Sequence, residues 1–130
     1  MSTPPTRSRC HGQRGNAALQ TAVLAPAMLV MAAIIIQGAL WFHARDVAIA
    51  AAEEGARVSA AQDGTSSAGR TAAASFAGRT GAGFFNVSSI SATRSATSTT
   101  VVVDGDSPVL VPGLHLTISQ SATLPVERTT

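Results

Sequence analysis

The sequence predicts an α+β protein: a long N-terminal helix, half in a membrane and half outside it, then a short second helix and a small three-stranded antiparallel sheet. Three observations lead there. From Asn16 to Phe42 the chain runs 27 residues without a charged side chain, longer than the roughly 20 residues that cross a bilayer as a helix. An Ala-rich stretch with helical spacing of its apolar residues follows at once. Beyond "TGAGFF" at residues 80–85 the pattern changes from helical to alternating.

Taken in order, residues 1–15 form a polar, Pro-containing, basic leader expected to lack regular structure. Residues 16–43 are read as the transmembrane helix, with Val23 to Ile36 its most apolar part and Pro26 a point where it can kink. Arg7, Arg9 and Arg14 flank it on the N-terminal side, which by the positive-inside rule keeps that end cytoplasmic and puts the rest of the chain outside. Trp41 and Phe42 stand where an interfacial aromatic belt is expected. Gln37-Gly38 is a candidate helix contact, although one Gly without a second at GxxxG spacing is a weak signal.

The helix is expected to outlast the membrane as residues 44–62. In "ARDVAIAAAEEGARVSAA", Val47, Ala51, Gly55 and Val58 make a packing face, while Asp46, Glu53 and Arg57 lie opposite. Glu53 and Arg57 are spaced for an i,i+4 ion pair. Asp63-Gly64-Thr65-Ser66 is the stop signal, opening a head of residues 63–130. Residues 66–79 read as a short Ala-rich helix with Phe76 as its large anchor. Strands are expected at 86–92, 98–103 and 114–122, the last with Leu114, Leu116 and Ile118 on one side. Asp104 to Pro108 and Pro112-Gly113 read as turns.

Composition narrows the function. All nine basic residues are Arg, and the three in the leader account for the net charge of +2; six arginines then face seven acids downstream. With aromatics at 4% there is neither a phosphate track nor a stacking platform, so nucleic acid is not an expected partner. Cys10, in the leader, is the one cysteine, which leaves no intramolecular disulfide and no Cys-based zinc site. His11, His43 and His115 are scattered, and Asp104 and Asp106 lack the further ligands of a calcium loop. "GRTGAG" at 78–83 is no P-loop in a chain without Lys, and the serines have no G-x-S-x-G setting. The expectation is a non-enzyme with no cofactor, no metal and no small-molecule substrate.

Three stretches carry a family resemblance: the basic leader ending in Gly15 directly before an apolar helix, "AAAEEGARVSAA" with its Glu-Gly-Ala-Arg core, and the ending "PGLHLTISQSATLPVE". Together they resemble the TadE-like minor pseudopilins of the Tad (Flp, tight-adherence) pilus system, within the type IV pilin-like group. The resemblance implies cleavage by a prepilin peptidase between Gly15 and Asn16, where a residue without a side chain lets a protease approach the backbone closely. It also implies, as partners, the membrane, other pilus or pseudopilin subunits and the inner-membrane assembly platform. Five residues after that bond the family has Glu and then an aromatic; here Gln20 and Thr21 stand instead. Gln accepts a hydrogen bond but cannot pair as an ion with a neighbour's free amine, and it costs less to hold in lipid than a carboxylate. That departure points to a minor component rather than a repeating filament subunit.

Two other readings remain open. One is a single-pass envelope protein without a pilus connection. The other is a secreted protein with a cleavable Sec signal, for which Ala50-x-Ala52 before Glu53 is an acceptable site, though Arg45 and Asp46 separate it from the apolar run.

Overall fold

The computed structural model describes residues 12–127, with side chains from residue 17. Two helices, α1 (Gly12–Ala60) and α2 (Ser66–Thr80), precede three strands, β1 (Asn86–Arg94), β2 (Ser98–Asp106) and β3 (Thr117–Pro125). The strands form one antiparallel sheet in the order β1-β2-β3. The class is α+β, with the elements in the expected order.

The chain divides into two compact units, Met1–Ile35 and Ile36–Thr130. What is described of the first is the start of α1, which begins at Gly12 rather than after the leader. Gln13 and Arg14 are good helix formers, and although Gly15 is a poor one, no Pro interrupts the ladder before Asn16. Residues 1–11 of the leader lie outside the described residues. The helix runs without interruption through Pro26.

In the second unit the rest of α1, α2 and one face of the sheet enclose a core made largely of alanine. Ala44, Val47, Ala48, Ala51, Ala52 and Ala56 from α1 meet Ala73 and Ala77 from α2, Phe85, and Val101, Val103 and Ile118 from the sheet. Side chains this small fill space only if backbones come close. Gly55 and Gly69 allow it: a Cβ on Gly55 would stand 2.7 Å from the Gly69 carbonyl oxygen and 3.1 Å from Val101 Cγ1. Phe76 is half-buried against the same cluster.

Strand β2 is the sheet's centre, with Thr99, Val101, Val103 and Gly105 buried in alternation. Thr99 is the polar member, and its hydroxyl sits 2.7 Å from Ser59 Oγ of α1, satisfying both groups in the interior. The turn between the helices is held from the sheet. Arg94 donates from Nη1 to the carbonyls of Ser59, Ala61 and Gly64, the last carbonyls of α1 and its exit. These are groups that a helix end leaves unpaired, and a cation suits the negative end of the helix dipole. Thr65 caps α2, its Oγ1 accepting from Ala68 N–H at 3.0 Å.

Several local expectations need correction. Arg57 pairs with Glu54 at 2.5 Å, not with Glu53, since i,i+3 neighbours are also adjacent on a helix. Asp104 and Asp106 are in β2 and not in a turn. Gly105 lies between them because a Cβ there would come within 2.5 Å of the Phe85 ring. Asp104 is accommodated by hydroxyls from both flanking strands, Ser119 Oγ at 2.5 Å and Ser89 Oγ at 2.8 Å. Strand β3 starts at Thr117, so Leu114 and Leu116 belong to the preceding loop and only Ile118 enters the core.

Candidate membrane segment and assembly surface

Residues 17–36 of α1 are apolar and almost wholly exposed. Leu19, Val23, Met28, Leu29, Met31 and Ile34 are mostly exposed, and Leu29 is 72% exposed. Leaving such side chains in water forgoes about 1.5–3 kcal/mol each, which is why a water-facing helix of this composition is not sustained. Ala17–Ala60 is the one helix among the described residues long and apolar enough to cross a membrane; its most apolar window has mean hydropathy 2.3 and is 6% buried.

The residues of interest fall at four levels along α1. Gly15 and Asn16 lie inside the helix by backbone, near its first turn. Gln20 is exposed on a face shared with Ala17, Thr21 and Leu24, which together with Ala25 and Met28 line a shallow groove. Thr21 turns its hydroxyl inward to the Ala17 carbonyl at 2.9 Å. Such back-bonding hides the hydroxyl from an apolar surrounding.

Further along, Gln37 is buried. Its Nε2 donates to the Pro108 carbonyl at 3.0 Å and its Oε1 accepts from Leu110 N–H at 2.8 Å. The sequence marked Gln37-Gly38 as a candidate helix contact; within the chain Gln37 bonds the loop between β2 and β3. Trp41 and Phe42 follow one turn later, ring to edge at 5.2 Å, with Trp41 half-buried and Phe42 exposed.

Val47, Ala51 and Gly55 are buried within the head's own core, and Val58 is half-buried. Ala52, Ala56 and Ser59 are buried beside them, so the buried face is broader than those four residues. This face therefore seats α2 and the sheet of the same chain, while Asp46, Glu53 and Arg57 point outward. Nothing in a single sequence separates a face that packs within a chain from one that packs between chains, because both show the same period.

The apolar stretch of α1 can be compared with known families. The family model described as TadE-like protein matches residues 15–57. That segment is TadE-like. It runs from Gly15 through the apolar run to Arg57 of the Glu-Gly-Ala-Arg core, about a third of the chain. The ending at 112–127 lies beyond the matched range. No curated protein and no solved structure compared matches the chain.

Proposed function

We propose that this TadE-like chain is a minor pseudopilin, or a membrane-anchored assembly component, of a Tad-type pilus, acting by subunit packing. The observation that carries the reading is the family match over residues 15–57 joined to a helix whose apolar side chains are mostly exposed. In this reading α1 crosses the cytoplasmic membrane once, its N-terminus inside, and the head lies on the far side. The apolar face of α1 associates with the helices of other subunits and the assembly platform through packing in lipid, where small residues let backbones approach.

A prepilin peptidase cleaves between Gly15 and Asn16. That bond lies in the first turn of the helix, where backbone N–H groups lack partners and fraying costs least, so the segment opens readily into a protease. Gln20, uncharged and exposed, stands five residues into the mature chain and cannot form an ion pair with a neighbour's amine. A minor position in the assembly, rather than the repeating one, follows.

N-terminal sequencing of the protein taken from membranes tests the processing step. An Asn16 start is expected; an intact Met1 or Ser2 start would sink it. Deletion followed by scoring of pili tests the assembly role, and unchanged piliation would favour a single-pass envelope protein without that role.

A further inference from the structure

The β2–β3 loop combines three properties that rarely occur together. First, it is apolar and exposed: Val109, Leu110, Val111 and Leu114 are each at least 40% exposed, and Leu110 reaches 54%. Second, residues 107–126 contain no Asp, Glu, Lys or Arg. Third, part of its backbone is already paired within the protein. Pro108 and Pro112 have no N–H, while the N–H groups of Ser107, Leu110 and Leu114 are bonded to the Leu116 carbonyl, Gln37 Oε1 and the Val111 carbonyl. Each of these bonds lowers the cost of moving the loop from water to the bilayer interface, where its remaining backbone groups still meet water and headgroups.

Gln37 fixes where this loop sits. It grips both sides of the loop backbone, and it is the residue that follows Ile36, the end of the most apolar run of α1. Trp41 is four residues on, about 6 Å along the helix axis, at the level where aromatic residues meet the headgroups. Ile36 and Phe42 are also exposed at this level. The loop thus lies beside the membrane exit of the helix, and continuity with that exit names its occupant.

We propose that the loop Ser107–Leu114 inserts into the outer interface of the bilayer, so that the head rests on the membrane through Val109, Leu110, Val111 and Leu114 and is held there by Gln37. The head is then attached at two points, helix and loop, which restricts its tilt and presents one defined orientation to other subunits. This rests on the membrane-anchor reading above.

The test uses the full chain with Cys10→Ser, reconstituted in phosphatidylethanolamine–phosphatidylglycerol vesicles, and a nitroxide on a single cysteine. The substitutions are Met31→Cys as the anchor control, Leu110→Cys for the loop, with Val109→Cys as a second loop probe, and Ser121→Cys on an exposed position of β3. Collision with oxygen, which concentrates in lipid, is compared with collision with a water-soluble nickel chelate. The loop labels should show an oxygen-to-nickel ratio several-fold above that at residue 121, approaching that at 31. Adding Gln37→Leu should move the loop ratio toward that of residue 121 and leave 31 unchanged. If 31 reports lipid while 109 and 110 match 121, the loop is in water and the inference is overturned with the anchor intact. Labels at 109 and 110 shielded from both reagents would mean a protein cover, which also overturns it. Water exposure at 31 would overturn the anchor and the loop together.

Discussion

Gly55 and Gly69 hold the two helices in backbone contact: a Cβ on Gly69 would lie 2.6 Å from the Gly55 carbonyl oxygen, and one on Gly55 2.7 Å from that of Gly69. Both clashes are against backbone, which cannot step aside as the tip of a side chain can. Replacing either glycine with alanine forces the helices apart along an alanine-lined core. Overpacking of this kind costs about 1–3 kcal/mol. Gly78 is the control, since a Cβ there meets nothing within 4 Å. Gly78→Ala should stabilise by about 0.5–1 kcal/mol. Denaturant unfolding of the three variants checks the contrast, and equal effects at 55 and 78 would refute it.

Arg94 is the bond between sheet and helix end. Arg94→Ala removes the donor to three carbonyls of Ser59, Ala61 and Gly64 in a partly buried place. A loss of roughly 2–3 kcal/mol is expected, in line with charged hydrogen bonds whose partners stay behind unpaired. Arg94→Lys keeps the charge but not the fork, and should fall between. The melting temperature of the head reports both, and an Arg94→Ala protein that melts with the parent would show the contacts to be inert.

Asp104 makes a small pH dependence. The hydroxyls of Ser119 and then Ser89 donate to its carboxylate and hold its pKa below the ordinary 3.8. A carboxylate favoured in the folded state contributes stability at pH above its unfolded value, and that contribution is lost as pH falls through the folded value. The group is largely exposed, so the effect is modest. Asp104→Asn should therefore lower stability near pH 6, by an amount that shrinks as pH falls below 3.8; a gap that widens on acidification would contradict this.

Gln20 separates minor from repeating subunits under the proposed function. Gln20→Glu supplies the carboxylate that the TadE-like resemblance leads one to expect. Its amount in sheared pili, relative to the parent chain, should rise several-fold. Should incorporation stay flat with the protein stably inserted, the missing charge is not what limits it.

Much of this protein is legible along the chain. The uncharged run from Asn16 to Phe42, the Asp63–Ser66 stop and the valines at 101–103 mark helix, break and strand because each is a local property: solvent preference, turn chemistry and branching at Cβ. The family match to residues 15–57 lies in the same readable part. What remained hidden depends on neighbours distant in sequence. Asp104 and Gly105 look like a turn until Ser89, Ser119 and Phe85 are beside them. Gln37 looks like a helix contact until the Pro108 and Leu110 backbone, more than seventy residues on, closes against it. The sequence by itself determined the class, the order of elements and the long apolar helix. Only the tertiary structure decided which glycines bring backbones together, which hydroxyls satisfy an acid in a strand, and that the Val47–Gly55 face is spent inside the head. The physical reason is that propensity and hydropathy act within a few residues, whereas close approach and hydrogen-bond satisfaction belong to pairs that folding brings together.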